Sequence, residues 1–488
     1  MNVLFVATEA VPFAKVGGMA DVVGSLPGAL HTLDVDARVL MPGYGLINRS
    51  AYDISLLFSF DMALQEGLAN VHVYSTVYDR VPFYFIQVWP FFGSDRNVYT
   101  EWSWDAPRFI LFNQAIIGTS WEIGKRLGWF PDVFHVHDWH TGLVPFLIDR
   151  TNHIDKWSQV ASLLSIHNLA YQGDHVGGWL YQAGIPPREQ PDLVYQDLTD
   201  NMLAISIAYS DIVTTVSPTY AQEIQSLHMG YSLDGLIRTR SNDLYGILNG
   251  IDTDLWNPAT DPKLTVNYDG STFDTRRIEN KRYLQRVLGL EVRDSAMMIG
   301  LVSRLVWQKG IDLALPALRR LLAGYDVQFV VLGTGEYELE RGLWQLAQDF
   351  HWKTRSLLQY DAAIAQHIYA ASDLFLMPSH FEPCGTSQML AMRYGALPLV
   401  RATGGLADTV QNYDDGDADH GTGFMFEWEE ADAVFDTLRW AFHTFRDRSQ
   451  AWTRMQKRAM KIDFSWSKSA KAYINLYEKA LRNRRVKK

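Results

Sequence analysis

Strand-length apolar runs recur along the chain, each closed by glycine or polar turn residues and followed by a helically spaced stretch. This alternation restricts the fold more than any other feature. Residues 3–7 form such a run, Gly17-Gly18 interrupt the chain, residues 21–33 carry helical spacing, and residues 37–41 are apolar again before Pro42-Gly43. That is a βαβ opening. The pattern returns at 133–136, 161–166 and 212–216. It loosens between 240 and 295, where Asn249-Gly250, Pro258, Pro262 and Asp269-Gly270 punctuate the chain, and a hinge is expected near 245. Then it restarts at 297–302, at 327–332 before Gly333-Thr334-Gly335, at 374–377, and at 397–400 before Gly404-Gly405. Alternating strands and helices favour parallel sheets covered on both faces. The expected fold class is therefore α/β, with two Rossmann-like doubly wound domains, 1–245 and 246–464, facing a central cleft. From about 467 a last helix carries Trp466, Ala470, Tyr473, Tyr477 and Leu481 on one stripe, and residues 465–488 are expected to pack back on the first domain. The basic residues Arg482, Arg484, Arg485, Lys487 and Lys488 read as a solvated tail.

Composition narrows the function classes. With 47% hydrophobic and 20% charged residues the chain is unlike a disordered one. A net charge of -11 provides no global positive field for a nucleic-acid backbone or an anionic membrane, so neither is expected as a partner. No apolar window reaches the roughly 18 residues of a spanning helix. The apolar start has no basic n-region and runs into Glu9, which argues against a signal peptide. A single cysteine, Cys384, rules out an internal disulfide framework and points to a reducing interior: a cytoplasmic location in a bacterium or cyanobacterium, or a plastid-like one for a mature eukaryotic chain. Aromatic residues make up 13% of the chain, for core packing or for stacking on sugars.

Ligands of such sheets sit beyond the carboxyl ends of the strands, so the strand-end loops are the candidate site. Lys15-Val16-Gly17-Gly18 follows the first strand and suits phosphate or a closely approaching sugar, or is only a turn. Arg304 and Lys309 lie five apart between a strand and a helix, where both can converge on a diphosphate, unless they are two surface cations. Thr403-Gly404-Gly405-Leu406 opens a helix and can offer N–H groups to phosphates, or Thr403 is simply its cap. His380-Phe381-Glu382-Pro383-Cys384-Gly385 places a carboxylate at a rigid turn, for sugar hydroxyls or for helix capping. The stretch His135 to His140 invites a zinc reading but lacks a recognised ligand spacing, and Asp138 with Trp139 reads better as a sugar contact. His167, in the loop 166–173, is either a sugar partner or a satisfied core histidine.

Taken together, these segments resemble the bacterial glycogen synthases and plant starch synthases, glucosyltransferases of family 5 with the GT-B fold. The likeness covers nearly the whole chain. It is carried by residues 15–22, His137-Asp138-Trp139-His140, 165–173, 214–220, 245–262 with Leu248-Asn249-Gly250-Ile251-Asp252, 304–310, 381–385 and 393–410. Val16 after Lys15 is similar to the starch synthase III and IV branch and its cyanobacterial relatives. The resemblance implies retaining transfer of glucose from ADP-glucose to the non-reducing end of an α-1,4-glucan, with no metal and no cofactor beyond the donor. It implies that Arg304 and Lys309 bind the diphosphate and stabilise departing ADP. Lys15, Gly18, Gly404, Gly405 and Leu406 line the phosphates, while Asp138, His167, Asn249, Glu382, Cys384 and Gly385 surround the glucose. Tyr360 stacks on adenine, His167 accepts a hydrogen bond from a sugar hydroxyl, and Lys281 lies at an interdomain site. Asp21, Trp139, Asn168, Ser379 and Thr403 complete the substrate-contacting set. Ser303, His380, Ala204 and Ser206 depart from the common pattern, which bears on acceptor preference rather than on the phosphate cations. The competing readings are a UDP-glucose-dependent or sucrose-type transferase, a glucan-binding or priming protein with weak catalysis, and a dehydrogenase. The last lacks a Gly-x-Gly-x-x-Gly after the first strand.

Overall fold

A strand covered on both faces needs a continuous apolar run rather than an alternating one, and the apolar runs form the inner strands of two sheets. The structure, a computed structural model, describes residues 1–65, 67–414 and 420–486. The chain divides into two units, Met1–Gly250 with Trp466–Lys488, and Ile251–Ser465.

The first unit is built on β1 (Asn2–Val6), β2 (Asp36–Pro42), β3 (Ser55–Leu64), β4 (Gly67–Tyr78), β5 (Val81–Val88), β6 (Val133–His137), β7 (Ala161–Ile166), β8 (Ile212–Thr215) and β9 (Leu244–Gly246). They form one sheet in the order β3-β4-β5-β2-β1-β6-β7-β8-β9. Pairing is parallel from β5 to β9. The edge β3-β4-β5 is antiparallel. The strand order switches between β1 and β6, which directs their carboxyl ends to a crevice. The helix after β1 spans Gly18–His31 and so begins before the expected residue 21, because Gly17 already stands at its N-cap with extended backbone.

The helix Trp466–Val486 buries Trp466, Ala470, Tyr473 and Tyr477 in the first unit, with Leu481 half-buried. Ser469 donates to the Leu248 carbonyl at 2.6 Å, and the Tyr477 hydroxyl lies 2.8 Å from His135 Nδ1. The basic end is not wholly solvated. Arg484 is buried, 3.7 Å from the Asp149 carboxylate, since its aliphatic stem continues the apolar stripe. Lys487 and Lys488 lie outside the described residues.

The second unit carries β10 (Met297–Val302), β11 (Val327–Leu332), β12 (Thr354–Leu357), β13 (Leu374–Met377), β14 (Leu397–Arg401) and β15 (Phe424–Phe426). All pair in parallel in the order β12-β11-β10-β13-β14-β15, so the switch lies between β10 and β13. Lys281 is buried at the opposite, amino end of these strands. It donates to Asp373 at 2.6 Å and to the Asp294 carbonyl at 3.0 Å, and Asp373 also accepts the Met298 N–H at 2.8 Å. This corrects the expectation of a substrate contact. A buried ammonium needs such a partner, and Lys281 ties the helix Ile278–Val287 to the sheet.

Candidate active site

At the switch point of the second unit, the loops leaving β10 and β13 close on one another. Lys309 donates to Glu382 Oε2 at 2.7 Å, and Ser379 Oγ reaches the same oxygen at 3.1 Å. Glu382 and Ser379 are buried, while Lys309 keeps 18% of its side chain exposed. A cavity of about 170 Å³ is lined there by Ser303, Arg304, Lys309, Ser379 and Ser387, beside the apolar ends of β10 and β13. Arg304 is exposed and forms no ion pair among the described residues, so its guanidinium is available to an anion. The approach of the two loops requires Gly310, whose φ is +66° and whose Cβ position lies 1.9 Å from the Pro378 carbonyl oxygen.

Two further loops support this pair. The one after β11 holds the β10 loop by Leu305 N–H to Thr334 carbonyl at 2.8 Å and Glu336 N–H to Leu305 carbonyl at 2.7 Å. The glycine loop after β14 packs on the β13 loop. Its Gly405 N–H donates to the carbonyls of Glu382 and Pro383 at 3.1 and 3.2 Å, and the Leu406 N–H to Thr403 at 3.1 Å. This corrects part of the phosphate expectation. The amides of Gly405 and Leu406 are engaged inside the protein because Gly404, at φ +45°, lets this loop pack against the Glu382 carbonyl. Thr403, Gly404 and Cys384 are buried, Gly385 sits at φ +69°, and Tyr360 is fully open to solvent at 87% exposure. His380 lies 2.9 Å from Asp312, faces Glu429, and stacks on Trp307 at 4.2 Å, which fixes the backbone just before Glu382.

In the first unit the glycine loop after β1 is held by Glu9, whose buried carboxylate accepts the N–H groups of Val16 at 2.5 Å and Gly17 at 2.7 Å. Tyr99 donates to Glu9 at 2.6 Å. Sequence reasoning missed both residues. An acid just after the first strand and ahead of a glycine pair was the available signal for Glu9, and Tyr99 left none. Lys15 is exposed and paired with Asp21 at 2.7 Å. A Cβ on Gly18 would meet nothing within 4 Å.

Beyond β6, Asp138 has φ +53° and ψ -168°, a conformation nearly restricted to glycine, and strain of this kind gathers at functional sites. Its Oδ1 accepts the His167 N–H at 2.7 Å. Burial pushes the Asp138 carboxyl up to about 7, although backbone donors from His167 and Asn168 pull the other way. His167 Nε2 lies 2.9 Å from His137 Nδ1, and burial lowers His167 to about 3. Asn168 accepts the Ala170 N–H at 3.0 Å, and Asn249 keeps a buried Oδ1 without a partner among the described residues. Trp139 is less available to a sugar than expected. It is buried against His140, Trp102 and Gly173, where a Cβ would lie 2.4 Å from the indole. Of the histidines of 135–140, His135 is engaged elsewhere, facing the Tyr477 and Ser165 hydroxyls at 2.8 and 2.7 Å.

Comparison with known proteins gives the family. Residues 2–239 match the family model described as the starch synthase catalytic domain, and residues 290–458 match glycosyl transferases group 1. The chain is 42% identical to the glycogen synthase of Pseudothermotoga lettingae, over 99% of this chain and all of that one. It is 40% identical to glycogen synthase 1 of Synechocystis sp., over 98% of this chain and 95% of that one. Among solved structures, the catalytic domain of starch synthase IV from Arabidopsis thaliana, bound to ADP and acarbose, superimposes with a TM-score of 0.89 at 34% identity, covering 99% of both chains. Sucrose-phosphate synthase from Thermosynechococcus elongatus shares the fold, with a TM-score of 0.61 at 16% identity. The chain belongs to the family of bacterial glycogen synthases and plant starch synthases, glucosyltransferases of the GT-B fold.

Proposed function

We propose that the chain transfers glucose from ADP-glucose to the non-reducing end of an α-1,4-glucan with retention of configuration, releasing ADP. The observation that carries this reading is the Lys309–Glu382 pair beside the exposed Arg304, at the carboxyl ends of β10 and β13. Two cations there meet the diphosphate, and a diphosphate so held departs without a general acid. The bond between the glucosyl C1 and the diphosphate oxygen breaks, the acceptor hydroxyl oxygen bonds to C1, and its proton passes to the departing phosphate. Glu382 holds the Lys309 ammonium and takes sugar hydroxyl bonds with its other oxygen. Within the second unit, Tyr360 is offered to adenine. Within the first unit, Asp138, His167, Asn168 and Asn249 are offered to a sugar, and Lys15 and Gly18 to phosphate. The relative bound to ADP and acarbose supports a nucleotide and a glucan-like ligand for this site.

The test is release of ADP or UDP from the two glucose nucleotides, with and without glycogen or maltooligosaccharide, in the intact chain and in Lys309→Ala. Acceptor-dependent ADP release, falling roughly a hundredfold (~3 kcal/mol) in the variant with a smaller loss of donor affinity, is expected. Preference for UDP-glucose overturns the donor. Glucan binding without release from either nucleotide replaces the reading with that of a binding or priming protein.

A further inference from the structure

His137 touches no candidate substrate atom, yet its position decides what His167 can do. Its Nδ1 lies 2.9 Å from His167 Nε2, so one of the two nitrogens donates and the other accepts. Burial holds both rings below the usual histidine range, so both are neutral and each carries one ring proton. The far nitrogen of His137, Nε2, is buried with no partner among the described residues. A proton there would be a buried donor with nothing to receive it, which costs more than an unused lone pair on an otherwise satisfied ring. The His137 proton therefore sits on Nδ1 and is donated to His167 Nε2. That leaves the His167 proton on Nδ1. The His137 ring cannot easily turn to escape this arrangement, since His135 stacks on it at 4.3 Å and Phe5 at 5.7 Å. His135 is no competitor for the bond, since its own nitrogens face Tyr477 and Ser165. The backbone of His167 is held as well, by its N–H bond to Asp138.

We infer that His137 is a positioning residue that fixes the His167 tautomer, so that Nδ1 of His167 donates a hydrogen bond to a hydroxyl oxygen of the transferred glucose. The inference rests on the donor-sugar reading of His167 given above, and it reverses the expectation that His167 accepts. The sugar group facing it must be an acceptor.

Two measurements test this. Nitrogen-15 spectra of the ligand-free chain, with His167 assigned by comparison with His167→Gln, are expected to show a protonated Nδ1 and a bare Nε2. The opposite pattern overturns the inference. This spectrum needs no substrate, so it separates the tautomer from the proposed function: an expected spectrum in a chain that turns over no glucose nucleotide sinks the function and leaves the tautomer standing. The second measurement compares ADP-glucose analogues in which each hydroxyl is replaced in turn by fluorine, which accepts but does not donate, or by hydrogen, which does neither. At one ring position the fluoro analogue is expected to exceed the deoxy analogue in kcat/KM, and in His137→Phe that ratio falls about fivefold, the worth of one neutral hydrogen bond. The inductive effect of fluorine is common to both enzymes and cancels. A fluoro-to-deoxy ratio unchanged by the variant at every position assigns His137 a packing role and overturns the inference.

Discussion

Gly310 and Gly18 each stand in a loop between strand and helix, but the structure requires a glycine only at the first. At Gly310 a side chain would meet the Pro378 carbonyl oxygen at 1.9 Å from a backbone already at φ +66°, so the loops carrying Lys309 and Glu382 would be forced apart. At Gly18 a Cβ meets nothing within 4 Å and no positive φ is needed. Gly310→Ala is therefore expected to lower stability by about 2 kcal/mol or more and to abolish most turnover. Gly18→Ala is expected to leave the urea midpoint in place or raise it slightly, since Ala favours a helix start over Gly by up to ~1 kcal/mol, while weakening donor binding. A Gly18 variant that binds donor normally would remove that glycine from the phosphate site. Lys309 and Glu382 could each be picked from the sequence as strand-end residues. Their pairing could not, because they stand 73 positions apart and nothing local to either names the other. The same distance hid the role of Glu9, whose partner Tyr99 lies 90 residues on.

Among the elements, the helix Trp466–Val486 shows how far a pattern can be read. Its apolar stripe was visible at helical spacing, and so was the need for a surface to cover it. The polar contacts within that surface were not visible. Tyr477 closes a line of buried hydrogen bonds that runs from its hydroxyl to His135, on to Ser165 at 2.7 Å and then to Thr214 at 2.7 Å, joining the helix to β6, β7 and β8. Tyr477→Phe keeps the ring and strands a buried imidazole nitrogen. The expected cost is about 1–3 kcal/mol. A denaturation midpoint indistinguishable from that of the parent chain would show that the line contributes no stability. The hairpin β3–β4 is the opposite case. In β3, Phe58, Phe60, Met62 and Leu64 alternate with Ser59, Asp61 and Ala63, the period of a strand with one open face, and the pattern of continuous apolar runs that revealed the parallel strands passed over it.

For the molecule as a whole, histidines lowered by burial set the direction of its acid sensitivity, and among the described residues all but His367 lie in the first unit. His135, His137, His140 and His167 all belong to the first unit, and burial lowers each of them, His140 and His167 to about 3. The unfolded chain takes up their protons near the ordinary 6.5 while the folded chain does not. The stability they contribute is therefore complete above that pH and is lost as pH falls towards 3. Asp138 works in the opposite direction. Raised to about 7, it favours the folded state at low pH and loses that contribution as pH rises through 7. Four groups outweigh one, so unfolding free energy is expected to be greatest near neutrality and to fall on acidification, by up to about 4 kcal/mol per pH unit below 6. Urea midpoints measured from pH 8 to pH 5 test the sign, and a flat profile would show that the rings are protonated within the fold. Native-state hydrogen exchange tests the place: at pH 5 the amides of β6 and β7 should lose protection before those of β10 and β13, because the second unit carries none of these four histidines. Replacing His140 with Gln should reduce the acid slope by about a third, since four histidine protons less the one held by folded Asp138 leave three net, and one of these is then gone.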